Sequence, residues 1–179
     1  MSAGLTGTDT PTRHVSPGWL VRDVVLVLAA CAVVGALAGV VWEAWWTPPS
    51  GVVRGHVWSL DFSESRGLFS GTALYVVVGL LGGILVGVTS AYFVDRVELV
   101  TLTAVAVGSV LAAWLMLRVG TALAPPDPAV AAQTSPNKTV LPDTLAVSGS
   151  WPLGAFPAGA MIGVAVVYIG LTSTRRSRA

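Results

Sequence analysis

Four long stretches without a central charge constrain this 179-residue chain more than any motif in it. From Val24 to Trp42, nineteen consecutive positions are apolar or glycine. An α-helix needs roughly 20 such residues to cross about 30 Å of hydrocarbon. The first stretch extends over about 20–45, and the others cover about 72–94, 99–123 and 153–172. Within a bilayer no water satisfies exposed backbone N–H and C=O groups, so a spanning segment is a helix or a barrel strand, and these stretches are twice the length of a strand. The expected fold is an all-α membrane protein, a four-helix transmembrane bundle. Composition agrees: 11% of residues are charged, against about 25% in soluble domains.

Residues 1–18 mix Gly, Ser, Thr and Pro and read as a disordered cytoplasmic tail. Residues 19–173 form the membrane domain, with outer loops at 46–71 and 124–152, and 174–179 a short basic tail. A rival reading makes the first stretch a cleaved signal peptide, since Arg13 and Arg22 precede it and Ala36-Leu37-Ala38 resembles a cleavage site. Against it, the apolar run continues through Val40, Val41 and Trp42, where a cleaved signal turns polar.

Basic residues give the direction of insertion. Six arginines (13, 22, 96, 175, 176 and 178) flank one side, and Arg54, Arg66, Arg118 and Lys138, four in all, lie on the other. The richer side is expected to be cytoplasmic, which puts both termini inside the plasma membrane and both loops outside. Trp and Tyr favour the headgroup level, and Trp42, Trp45, Trp46, Tyr75 and Trp151 fall at the outer ends of the spans.

Lipid tails are as apolar as leucine, so membrane helices associate by close approach at small residues. Four-residue steps align such residues on one helix face. The second span carries Gly79, Gly83, Gly87 and Ala91 in this spacing, and the first carries Cys31, Gly35 and Gly39. Ala104, Gly108 and Ala112 repeat the device in the third span, as do Ala155, Gly159 and Gly163 in the fourth. These ridges serve either packing within one subunit or association with a second copy. Pro157 suits the start of the fourth helix, where a missing backbone donor costs little.

An ionisable group inside a span marks function by default, and the central sections of all four spans have none. A proton relay or coupled-ion site usually needs one. Two charges sit near the outer boundary: Glu43, one step beyond the Gly35 and Gly39 ridge, and Arg118 at similar depth on the third span. Two readings stand. Either they form a salt bridge that locks the first and third spans, or Arg118 stacks on Trp114 or reaches the headgroups while Glu43 is solvated. In the loops, Val53–Leu60 and the segments Thr139–Leu141 and Leu145–Val147 around a Pro142-Asp143 turn suggest a small strand-containing extracytoplasmic cap. Trp42, Trp45, Trp46 and Trp58 gather at this rim as candidate partner-contact aromatics. Asp61 and Glu64 are the close carboxylate pair outside, and Ser63 and Glu64 read as capping or shielding the start of the second helix. His56 has no second ligand at metal spacing, and Cys31 sits in an apolar run as a packing residue. No catalytic, cofactor or metal residue is assigned, and the scattered charges make no basic patch for nucleic acid.

The stretch Gly35–Trp42 followed by Pro48-Pro49, and Arg66–Tyr75 opening a glycine-rich second span, give the chain a resemblance to an uncharacterised family. It resembles a group of small four-span membrane proteins of high-GC Gram-positive bacteria, known as a domain of unknown function, over about residues 20–172. The resemblance implies a plasma-membrane location and the same four-span plan, and it transfers no active site. The expected role is non-enzymatic: an accessory or assembly subunit of a cell-envelope complex, with the bilayer and a membrane protein as partners. The alternative is a small transporter or channel assembled by self-association through the glycine ridges.

Overall fold

The computed structural model describes residues 17–60, 67–93 and 98–176. In chain order the elements are α1 (Pro17–Trp45), β1 (Ser50–Arg54), β2 (Val57–Leu60), α2 (Gly67–Phe93), α3 (Glu98–Leu123), α4 (Pro128–Ala132), β3 (Val140–Pro142) and α5 (Ala155–Arg176), the last entered through a 3-10 turn at Trp151–Gly154. Helices α1, α2, α3 and α5 are long and apolar enough to cross a membrane. The α3 limits agree with the expected third span within a residue. Three other boundaries move. Proline at the first helical position lets α1 start at Pro17, inside the expected tail, whose residues 1–16 lie outside the described residues. Helix α2 begins five residues before the expected start at 72. Its first turn is held by Ser70 Oγ donating to the Gly67 carbonyl at 2.6 Å, and Gly67 packs on Pro49 so closely that a Cβ would come 2.9 Å from that ring. Helix α5 runs on through Arg175 and Arg176, so part of the expected basic tail is helical.

The helices that pack most extensively are not neighbours in sequence. Helix α1 lies along α3 and α2 along α5, while α1 against α2 and α2 against α3 touch less. Partner numbers rise together along each contact, so both pairs are parallel. The small residues decide this. A Cβ on Gly35 would fall 2.6 Å from the Ala112 carbonyl oxygen, one on Gly39 would fall 2.7 Å from that of Met116, and one on Gly108 would fall 2.7 Å from Cys31 Sγ. Helices α2 and α5 are closer still. A Cβ on Gly83 would overlap the Phe156 carbonyl, one on Gly87 the Ala160 carbonyl, and one on Gly159 the Leu80 carbonyl, while on Gly163 it would lie 2.5 Å from the Ile84 carbonyl. Gly79 is looser, with Met116 Sδ 3.7 Å from the position of a Cβ. All the glycine ridges are thus filled from within the chain. An assembly route through the second-span ridge loses its surface, because α5 already lies on it.

The two pairs meet through larger side chains. Trp42, Tyr75, Met116 and Phe156, one from each membrane helix, are fully buried. Outward faces are apolar instead: Val33, Leu37, Leu81, Leu85, Val107 and Val110 are exposed, as lipid-facing residues should be.

At the end of the bundle where α1 stops and α2 starts, the three strands form an antiparallel sheet in the order β2-β1-β3. The segment Val53–Leu60 is not one strand, because Gly55 and His56, with φ of 59° and 63°, close a two-residue hairpin turn. Positive φ at both positions is what a tight hairpin with the twist of its strands requires. The β1–β3 ladder extends past β3 through Val53 N–H to Thr139 O at 2.9 Å and Lys138 N–H to Val53 O at 2.8 Å. Leu145–Val147 is not a strand. Leu145 turns down instead and is buried as the floor of the cap.

Backbone contact at the glycines sets a steep size limit. Replacing Gly87 by leucine is expected to destabilise the protein by more than the roughly 1–3 kcal/mol of ordinary overpacking, because backbone and not a movable side chain faces the new atoms. Gly170→Leu, in open space, should be near neutral. Unfolding in mixed detergent micelles measures both; equal stability of the two variants contradicts the packing.

Candidate functional site

With no charge in the span centres, the rim at the cap end and the loops above it hold the groups able to do anything specific. Helix α1 brings Trp42, Glu43 and Trp45 there in its last turn, with Trp46 directly after it. Trp42 points inward. Its indole N–H donates to the Gly71 carbonyl at 2.7 Å, its ring meets Tyr75 edge-on with centroids 4.9 Å apart, and the Gly120 backbone lies against its face. Tyr75 in turn donates its hydroxyl to the Ala113 carbonyl at 2.8 Å. The two bonds tie α1 to α2 and α2 to α3, so they fasten the helix pairs together at the rim. In a low-dielectric interior the indole N–H and phenol O–H need acceptors, and a helix carbonyl can accept a second bond beside its intrahelical one, which is why Trp and Tyr are suited to the position.

This corrects the placing of the aromatics. Trp42 and Tyr75 are core and not headgroup belt, because each finds a carbonyl partner across a helix contact. Trp58 lies half-buried on Gly51 and donates to the Leu141 carbonyl at 3.2 Å, pinning β2 to β3 across the sheet. Trp46 is half-buried near Gly71, with its Nε1 buried and without a hydrogen-bond partner among the described residues. Of the four rim tryptophans proposed for partner contact, Trp45 alone faces outward, at 67% exposure.

The Glu43–Arg118 salt bridge does not form. Among the described residues the ion pair is Arg22 with Asp23, at 3.6 Å, and the Arg118 guanidinium lies 5.3 Å from the Trp114 ring centroid. Helix geometry gives the reason. The α3 ridge that meets α1 runs Gly108, Ala112, Met116 and Gly120, and Arg118 is two residues from the last two, on the opposite side of the helix. Glu43 does continue its own ridge and is half-buried, but the residue it would need is turned away. The second of the two readings therefore holds for Arg118.

Short polar contacts organise the loops. Asn137 Oδ1 accepts from the Gly55 N–H at 2.7 Å, joining the hairpin turn to the second loop. Asp127 caps the short helix α4 by accepting from the Ala129 N–H at 2.8 Å. Thr72 Oγ1 accepts from the Ser148 N–H at 3.1 Å and seats the second loop on α2. Asp61 and Glu64 lie outside the described residues, and His56 sits exposed on its turn. Among the described residues no three His, Cys, Asp or Glu side chains gather at metal-binding distance. Between α1 and α2 a lateral apolar groove of about 300 Å³ opens outward, lined among others by Leu37, Val41, Trp45, Val78, Leu81 and Leu85.

The sequence reading missed Gly71 and Gly120 as the receptors of Trp42. Gly120 was findable, since it is the next four-residue step of the α3 ridge after Met116; Gly71 lay in what was read as loop. The chain matches no family model, no curated protein and no solved structure. Its arrangement is thus read from its own geometry.

A double-mutant cycle separates the two kinds of rim contact. Glu43→Gln with Arg118→Gln should show coupling within the roughly 0.3–0.5 kcal/mol of independent sites, whereas Trp42→Phe, which keeps a ring and removes only the donor, should cost about 1 kcal/mol. A coupling clearly above that range contradicts the separate placement of the two charges.

Proposed function

We propose that this is a non-enzymatic multi-pass protein of the plasma membrane that acts by holding a partner, as an accessory or assembly subunit of a cell-envelope complex. The observation that carries the reading is where its exposed apolar side chains lie. Lipid accounts for those along the spans. It does not account for Val57 and Val140, on the two edge strands of the cap, which are 66% and 62% exposed. Exposed apolar residues on edge strands favour pairing with another chain. Trp45 and Trp151, 67% and 70% exposed, stand at the rim below, so a partner that touches the cap meets aromatic side chains at headgroup depth. The span interiors add support of another kind, since their lack of ionisable groups offers no relay for coupled transport.

The proposed orientation, with the cap outside and both termini cytoplasmic, rests on the arginine count and on the resemblance to the four-span family. It has a clean test, because the native thiol of Cys31 is fully buried. Thr134→Cys, exposed beside the cap, should react with a membrane-impermeant maleimide in intact cells while the unmodified protein stays unlabelled. Labelling only after permeabilisation reverses the orientation. For the function itself, photo-crosslinking amino acids at Val57 and Val140 should capture one reproducible membrane-protein partner in living cells. Adducts that are absent, or that contain lipid alone, contradict the assembly role.

A further inference from the structure

The three-stranded sheet of the cap has two edges, and they are built differently. Which backbone groups each edge presents follows from Val53, whose N–H and C=O are both spent on the second loop, at Thr139 and Lys138. In an antiparallel ladder, residues along a strand bond alternately to one side and the other. Val53 faces Trp58 and Gly51 faces Leu60 across the β1–β2 pairing, so both are non-hydrogen-bonded pairs. The N–H and C=O groups of Trp58 and Leu60 therefore point away from β1, along the free edge of β2. None of these groups has a hydrogen-bond partner among the described residues. Helix α4 touches both β2 and β3, which lie on opposite sides of β1, so it covers a face of the sheet and not an edge.

The β3 edge is blunted. Pro142 has no N–H to offer, and the β1–β3 pairing ends in a bulge where Lys138 and Thr139 both bond to Val53. Lys138 holds a φ of 70° there, at the position where such bulges favour glycine. Proline, lysine and a bulge are devices by which proteins keep an edge strand from pairing with a second chain. The β2 edge, Val57-Trp58-Ser59-Leu60, carries none of them. Alternation also sorts its side chains. Trp58 and Leu60 share the inner face with buried Val53, while Val57 and Ser59 lie exposed on the outer face. Arg54, also exposed, stands directly opposite Val57 and has no ion pair among the described residues.

We infer that the partner contributes an extended segment that adds to β2 as a fourth strand, with an acidic side chain within reach of Arg54. This rests on the assembly reading above and names the form in which the partner binds. An extended segment satisfies such an edge because its own N–H and C=O groups are unspent and recur at the spacing of Trp58 and Leu60; a helix has spent its own. Proline is excluded from the partner positions that face Trp58 and Leu60. On the outer face, the unpaired cation beside apolar Val57 selects an acidic residue next to an apolar one.

Photo-crosslinking residues placed singly at Val57 and Ser59, in the full-length protein in its own membrane, test the added strand. The two positions lie two residues apart on one face, so their adducts should map by mass spectrometry to a single partner segment, at sites two residues apart. Leu60→Pro removes an outward donor and should cut the Val57 adduct roughly fivefold to tenfold. Leu60→Ala loses the same side chain but keeps the N–H, and should retain most of the adduct. Arg54→Glu should lower it as well. The mapping changes nothing on the inner face of the sheet, so it decides the matter even where Leu60→Pro loosens the cap. Sites three or four residues apart, as on a helix, or equal adducts from Leu60→Pro and Leu60→Ala, overturn the added strand while the assembly reading stands. Adducts confined to lipid or to copies of this chain overturn both.

Discussion

Everything in this molecule depends on helix backbones that come into direct contact. In water, the burial of apolar surface would draw helices together without regard to detail. In lipid that force is absent, and attraction comes from packing at short range and from interhelical hydrogen bonds. A helix pair then forms where side chains are small enough to let the main chains meet. The glycines of α2 and α5 bring each helix against the other's carbonyls, and those of α1 and α3 do nearly the same. Because these faces fix α1 beside α3 and α2 beside α5, the chain crosses between pairs at every connection.

That crossing explains the rim. Two tightly joined pairs still have to be held to one another, and their mutual faces carry large residues that no glycine contact could align. Trp42 and Tyr75 supply the alignment, each reaching across to a carbonyl of another helix. Above them the two loops are drawn together into one sheet and seated on α2 by Thr72. The cap is in this sense the closure of the bundle, and its outward edge is the part of the molecule not already committed to its own packing. The proposed role in assembly rests on that edge.

Much of the fold was legible in the sequence because membrane spanning is a constraint of length and composition. The apolar runs gave four helices, and Gly79, Gly83 and Gly87, spaced by four, lie against α5. What spacing alone could not reveal is which helix fills that face, since a ridge suits any complementary ridge, in the same chain or another. The rim was harder. Trp42 and Trp45 are both tryptophans near a span end, and only the helix phase relative to Gly35 and Gly39 separates the buried one from the exposed one. Helix phase on α3, counted from Gly108 and Ala112, likewise turns Arg118 away from Glu43. The hairpin turn at Gly55-His56 was hidden because a two-residue turn with both φ positive is signalled by Asn-Gly or Asp-Gly, and Gly-His is neither.

The central claim, that the glycine faces close within one chain, can be tested by a single cross-link. In the Cys31→Ala background, Gly79→Cys with Ala155→Cys places two Cβ atoms 3.8 Å apart between α2 and α5, at the usual separation for a disulfide. With a protease site inserted between α2 and α3, mild oxidation should leave the two cleaved fragments joined, in a species of monomer size, at every protein dilution. Fragments that separate, or a disulfide that forms only between copies, would contradict the account.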